Sequence, residues 1–194
     1  MKKILIISSN RLGDCILSSG VIEYYRNYYK NSEITYVCGT VPSELFKSFD
    51  NIENVIPLEK KKFSIHWFYL WFKVCLNSWD CIVDLRGTLI SFFLLTKKRV
   101  CYSGINKNKQ LHKVISTSQI IGDRILEPQI NISKKSLLFN ENINFIRKVK
   151  NKSNLIAIAP SANWEGKKWP QERFIQLIKK LINSDEFKNP KFLI

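Results

Sequence analysis

Apolar and polar positions fall into short blocks along this chain, and the block order repeats. Residues 4–7 (ILII) form an unbroken apolar run that stops at Ser8-Ser9-Asn10-Arg11-Leu12-Gly13-Asp14. A helically spaced apolar set, Leu17, Val21, Tyr24, Tyr25 and Tyr28, follows at once. A run of this kind, closed by a polar turn and continued at helical spacing, predicts strand, tight loop and helix over 3–8 and 14–29. Further strands are expected at 33–38, 54–57, 79–85 and 99–102, with short helices at 42–49 and 88–95 and an aromatic helix at 63–76. The stretch 106–113 reads as a basic loop, 116–126 as a helix, 127–138 as irregular chain and 141–150 as a helix, with 149–154 as linker. Residues 155–159 (LIAIA) then repeat the opening pattern, followed by a polar loop over 160–168 and a helix from Trp169-Pro170 carrying Phe174, Leu177, Ile178 and Leu181. Residues 191–194 read as the start of another strand.

Strands alternating with helices predict an α/β fold with a parallel sheet. The expected division is a domain over 1–150 and the beginning of a second over 151–194. One strand and one helix bury too little surface to stand alone. Either the chain is a fragment of a longer protein, or its last unit packs on the first sheet.

The chain has 194 residues and 45% hydrophobic content, enough for a sizeable core. No run reaches the ~18 apolar residues of a membrane span, and Met1-Lys2-Lys3 before residues 4–7 reads as the start of a first strand, not a signal peptide. Five scattered cysteines without a CxxC pair indicate neither a disulfide framework nor a zinc site, and fit reduced thiols in the cytosol. The formal net charge of +15 suits nucleic acid, an anionic membrane surface or a phosphorylated substrate, and equally a lysine-rich soluble surface. The aromatic helix 63–76, with Lys60-Lys61-Lys62 at its shoulder, fits either the core or an interfacial helix at a membrane. His66 and His112 stand in unrelated settings, without the partners of a triad or a metal site. No nucleic-acid reader surrounds the basic tracts.

Three strand-end loops hold the candidate chemistry. The first, 8–14, has a single glycine and fits neither GxGxxG nor the P-loop. Gly13 there supplies backbone freedom or close approach, and Asp14 reads as a helix cap or as a general base. The second, Asp84-Leu85-Arg86-Gly87, again sets an acid and a base at a strand end. It reads as a substrate contact or as an Asp–Arg pair holding the turn. The third, Pro160-Ser161-Ala162-Asn163 through Lys167-Lys168-Trp169-Pro170, has the parts of a phosphate site: small residues, lysines and a helix N-terminus. A solvated loop anchored by tryptophan is the other reading.

Taken in this order, Arg11-Leu12-Gly13-Asp14-Cys15-Ile16-Leu17, Asp84-Leu85-Arg86-Gly87, Pro160-Ser161-Ala162 and Lys167-Lys168-Trp169-Pro170 with Phe174 resemble motifs of the bacterial heptosyltransferase family of lipopolysaccharide core biosynthesis. The resemblance runs over nearly the whole chain. It implies a Rossmann-like parallel-sheet domain of the two-domain GT-B glycosyltransferase type, with only the start of the second domain. It implies inverting transfer of heptose from ADP-heptose to the lipopolysaccharide inner core, with Asp14 as the base and without metal or cofactor. Arg11, Gly13, Asp84 and Arg86 would bind the acceptor. Ser161, Ala162, Asn163, Lys167 and Lys168 would bind the donor diphosphate. The partners implied are the nucleotide-sugar, a phosphorylated glycolipid and the anionic inner face of the cytoplasmic membrane, with the protein in the cytoplasm and no nucleic acid. Ser161 stands where the family usually has glycine, and the family's later donor motif would lie past Ile194. A non-catalytic remnant that still binds phosphorylated glycolipid is therefore the alternative, and a basic nucleic-acid-binding protein a more distant one.

Overall fold

The computed structural model describes residues 1–102, 111–122, 124–133, 146, 148, 154–162 and 164–194. The chain divides into two compact units, Met1–Ser133 and Lys134–Ile194. The helix expected over 141–150 and Asn163 lie largely and wholly, respectively, outside the described residues.

In the first unit, β1 (Lys2–Ile7), β2 (Ser32–Cys38), β3 (Asn54–Pro57), β4 (Trp79–Asp84) and β5 (Thr96–Cys101) form a parallel sheet in the order β3-β2-β1-β4-β5. β1 lies at its centre, and Ile4 to Ile7 are wholly buried. That is why this strand reads as a continuous apolar run and not as an alternation: both faces of a parallel strand are covered. Chain order reverses between β1 and β4, so the sheet has its topological switch point there.

One face carries α1 (Leu12–Leu17), α2 (Gly20–Tyr28), α3 (Thr40–Phe46) and α5 (Lys113–Ser118). Its core joins Ile4, Ile6, Tyr25, Tyr36, Phe46 and Val83. The other face carries α4 (Ile65–Val74) and a 3-10 turn, Leu89–Phe93, over Leu5, Ile7, Val37 and Ile82.

Several boundaries differ from the expectation. The helix expected over 14–29 is two helices, because Ser18 Oγ donates back to the carbonyls of Asp14 and Cys15 (2.9 and 3.1 Å) and Ser19 Oγ to that of Ile16 (2.8 Å). Serine back-bonding of this kind competes with the helix ladder and bends it. The bend seats α2 against the strap 125–132. A Cβ on Gly20 would meet the Glu127 carbonyl at 2.3 Å, and the Gln129 N–H donates to Ser19 Oγ (2.9 Å). The helix expected over 116–126 runs instead from Lys113 to Ser118, since the Ser118 hydroxyl accepts the Leu126 N–H (2.8 Å) and turns the chain. The short helix expected over 88–95 is the 3-10 turn, and β5 starts at Thr96, earlier than expected.

The aromatic helix is packed along one edge only. His66, Leu70 and Val74 are buried, Trp67 and Trp71 are half-buried against the core, and Phe68, Tyr69 and Phe72 face outward. Before it, Phe63 (φ 54°) and Ser64 (φ 60°) both adopt the left-handed region, at a cost on the order of 1–3 kcal/mol each.

In the second unit, β6 (Leu155–Ala157) pairs in parallel with β7 (Lys191–Leu193), connected by α6 (Gln171–Ile182). None of its described residues is buried.

Candidate active site

The site is built where β1 and β4 end, at the switch point. Beyond Ile7 the ladder continues into the loops: the Ser8 N–H donates to Val37 O (2.8 Å), the Gly39 N–H to Ser9 O (3.1 Å) and the Leu85 N–H to Ile7 O (3.0 Å). The β1 loop lies so close to Gly39 that a Cβ there would meet Asn10 O at 2.6 Å. Glycine at that position is a packing requirement of the site.

Asp14 occupies the first turn of α1, two residues past its first helical residue, with Arg11 as N-cap. Among the described residues its side chain accepts no backbone N–H. Instead Ser9 Oγ donates to Asp14 Oδ2 (3.1 Å) while accepting the Arg11 N–H (3.2 Å). One hydroxyl thus fixes the carboxylate against the loop and leaves its second oxygen without a protein donor among the described residues. The helix dipole favours a negative charge there. Gly13, exposed beside it, has ordinary backbone angles, and a Cβ would meet nothing within 4 Å. Of the two uses expected for this glycine, backbone freedom is not exercised; what it leaves is open space next to Asp14. The Arg11 guanidinium is exposed and has no partner among the described residues.

Asp84 is wholly buried. One carboxylate oxygen accepts the N–H groups of Arg86 and Gly87 (3.0 Å each), and the other accepts the Thr88 N–H (2.7 Å) and its hydroxyl (2.5 Å). Asp84 therefore organises the β4 loop with all its oxygen capacity. Gly87 takes φ 67° to close that turn, and a Cβ there would strike Tyr102 O at 2.4 Å. Asp84 and the Arg86 guanidinium do not pair. Arg86 reaches across to Asn10 Oδ1 (3.1 Å) and lies over the Trp67 ring, 5.0 Å from its centre. The two loops are joined by that bond. Arg11, Gly13, Asp14, Asp84 and Arg86 thus belong to one strand-end site.

Four participants escaped the sequence reading. Ser9 and Asn10 sit inside the first loop, where two small polar residues preceding an Arg-x-Gly-Asp sequence are the available signal. Thr88, four residues after a strand-end aspartate, matches a carboxylate that caps its own turn. Trp67 lies on α4, and nothing in its spacing ties it to Arg86.

The third loop belongs to the second unit. There Ser161 is exposed and Ala162 half-buried, and a 3-10 turn, Glu165–Lys167, leads toward α6. Lys168 Nζ pairs with Glu165 (2.7 Å), whereas Lys167 has no ion-pair partner among the described residues. Trp169 packs edge-on to Phe174 (4.9 Å between ring centres), seating the loop on the helix.

Among the described residues no helix is long and apolar enough to cross a membrane, and no group of His, Cys, Asp or Glu side chains is gathered as a metal site. Neither a protein-family model nor a curated protein sequence matches the chain. Solved structures do. A glycosyl transferase family 9 structure from Veillonella parvula superimposes with a TM-score of 0.69 at 18% identity, over 91% of this chain and 58% of that one. The Escherichia coli ADP-heptose lps heptosyltransferase II gives 0.65 at 17%, over 99% of this chain and 64% of that one. The E. coli heptosyltransferase WaaC with ADP gives 0.61 at 13%, over 98% and 67%. The fold is thus an α/β Rossmann-like sheet domain resembling the N-terminal GT-B fold of heptosyltransferase structures, and this chain spans about three-fifths of the Veillonella protein's length.

Proposed function

We propose that the first unit is the acceptor side of an inverting glycosyltransferase, and that Asp14 is its general base. The observation that carries this reading is the Asp14 carboxylate: anchored through one oxygen by Ser9, open at the other, beside the unobstructed space at Gly13, and at the switch point of a parallel sheet. A general base needs this arrangement, because it must be oriented and still reach a substrate proton.

In the proposed reaction, Asp14 takes the proton of an acceptor hydroxyl as that oxygen attacks the sugar's anomeric carbon. The bond to the nucleoside diphosphate breaks on the opposite side, so configuration inverts. Arg11 and Arg86 bind an anionic acceptor, and Asp84 acts as a positioning residue through its turn. In the second unit, Lys167 is better suited than Lys168 to the departing diphosphate, because Glu165 already neutralises Lys168. Ser161, Ala162 and Asn163 supply a small-residue approach to the same group. E. coli WaaC structures hold ADP and ADP-2-deoxy-2-fluoro heptose, which supports ADP-heptose as donor and a phosphorylated lipopolysaccharide core as acceptor. A lipid-borne acceptor in turn requires peripheral contact with an anionic membrane surface, which places the work at the cytoplasmic side where nucleotide-sugars are found.

A second reading is favoured by one observation, the absence of buried residues in the described part of the second unit. In it the chain binds a phosphorylated glycolipid without turning over a donor. ADP release from ADP-heptose with a phosphorylated glycolipid acceptor separates the two. Parental turnover with a loss of about 10²–10⁴-fold in Asp14→Asn, at unchanged acceptor binding, supports transfer. Acceptor binding without turnover supports the second reading. Turnover of Asp14→Asn within a few-fold of the parent removes Asp14 as the base.

A further inference from the structure

The outer surface of α4 and the 3-10 turn after β4 is apolar, aromatic and, among the described residues, uncovered. Phe63 is 92% exposed, and Phe68, Phe72, Leu89 and Phe93 are all more than half exposed. Scattered exposed apolar residues are ordinary, but a contiguous aromatic patch marks an interaction surface. Between α4 and the turn runs an open groove of about 890 Å³ walled by Trp67, Phe68, Trp71, Phe72, Leu89 and Phe93, with Ser64 and Thr88 as its polar positions. The Trp71 indole N–H donates to Phe93 O (3.1 Å) and holds the two walls together. The strained left-handed pair Phe63-Ser64 throws the Phe63 ring outward at one end.

The charge around the patch is predominantly positive. There is no Asp or Glu from Lys60 to Trp79, nor from Leu85 to Val100. Lys60, Lys61 and Lys62 stand exposed at the N-terminal end of α4, and Lys73 at its other end lies over the Tyr69 ring (4.5 Å). An apolar aromatic face bordered mainly by cations, with Glu59 as the one exposed acid beside Lys60, matches a surface with an apolar interior and an anionic skin. A second copy of this chain does not match, since self-association would bring the same lysines together on a protein of formal charge +15.

We propose that α4 and the Leu89–Phe93 turn form the face by which this protein docks on an anionic lipid bilayer. Phe68, Phe72 and Phe93 enter the acyl region, the groove accommodates one acyl chain, and Lys60–Lys62 with Lys73 lie at the level of the lipid phosphates. Thr88, at the end of the groove, is also the residue whose hydroxyl holds Asp84, and Trp67 in its wall supports Arg86. Docking on this face therefore brings the strand-end site to the headgroup layer. The proposal rests on the reading above only in that a lipid-borne acceptor calls for such a contact.

The test is flotation of the full chain with vesicles of phosphatidylethanolamine and phosphatidylglycerol, against vesicles of phosphatidylcholine alone. The parent floats with the anionic vesicles, and lipids brominated in the acyl chain quench its tryptophan fluorescence. Phe68→Ser/Phe72→Ser/Phe93→Ser, all at exposed positions, keeps the parental melting profile and no longer floats. Lys60→Gln/Lys61→Gln/Lys62→Gln binds on the order of a hundredfold more weakly. A parent that ignores anionic vesicles overturns the proposal, as does a triple phenylalanine variant that floats like the parent. So does a parental dimer that the same variant dissociates in the absence of lipid binding. Transfer to a deacylated, water-soluble acceptor is measured alongside: transfer without vesicle binding removes the docking face alone, and vesicle binding without transfer removes the transferase reading alone.

Discussion

The two faces of the five-stranded sheet carry helices of similar aromatic content and treat them oppositely. On one, α2 and its C-cap contribute Tyr24, Tyr25, Tyr28 and Tyr29; Tyr25 is wholly inside, and Tyr24 and Tyr29 pack against the core. On the other, α4 buries Leu70, Val74 and His66 and turns most of its aromatic surface outward. The difference comes from the third layer. The strap 125–132 lies over α2, pinned by Gly20 and Ser19 and turned by Ser118 of α5, whereas among the described residues nothing lies over α4. Aromatic content alone does not decide burial; a covering segment about a hundred residues away in the chain does.

The strongest way to break this comparison is to delete matched rings. Phe46, wholly buried on the covered face against Tyr36 and Phe49, is expected to cost about 3–5 kcal/mol as Phe46→Ala. Phe72→Ala on the open face is expected to stay within about 0.5 kcal/mol. Chemical denaturation of both variants checks this, and equal losses would mean that α4 is covered after all.

Glycine substitutions sharpen the comparison at a smaller scale. Gly20→Ala drives a methyl group into the backbone at Leu126 and Glu127 and is expected to cost about 1–3 kcal/mol. Gly13→Ala meets open space and is expected to leave stability unchanged or raise it by up to about 1 kcal/mol, while weakening acceptor binding. A stable Gly13→Ala protein with parental acceptor affinity would falsify the role given to that space.

The smallest expected effect concerns His66, the buried polar anchor of α4. Its Nδ1 accepts the Lys61 N–H (3.3 Å), and burial, then the nearby charges of Arg86 and Lys60, lower its pKa below the ordinary 6.5. In the mild-acid window between the folded and unfolded values, the unfolded chain binds the extra proton. The contribution to stability is therefore complete above pH 6.5 and is lost as pH falls through the depressed folded value. Melting temperature measured across that window should fall more steeply in the parent than in His66→Gln.

Much of the first unit was legible as pattern. The run at residues 4–7, the alternation at 33–38 and the run at 79–85 mark strands, because a buried parallel strand tolerates little else. The strand-end loops were legible as places for chemistry for the same reason. What each residue does inside them was not. Asp14 carries both the look of a cap and the look of a base in the sequence, and only the structure shows that Ser9 holds its carboxylate from the loop side. Asp84 and Arg86, two positions apart, suggest an ion pair, yet one is consumed by backbone N–H groups and the other bonds Asn10 on a neighbouring strand's loop. The split of the first helix also escaped, because Ser18 and Ser19 break the ladder through their hydroxyls without breaking the apolar spacing.

The amino-acid sequence by itself thus determined the α/β class, the strands and the three loops that hold its candidate chemistry. These depend on local periodicity and on polar residues that end each strand. Only the tertiary structure decided which carboxylate stays open, which is absorbed by its own turn, and which aromatic helix remains uncovered. The first two outcomes rest on short-range hydrogen bonds, Ser9 to Asp14 and the turn after Asp84, whose pairing the spacing alone does not reveal, and the third on packing between segments such as Ser19 and Gln129, far apart in the chain.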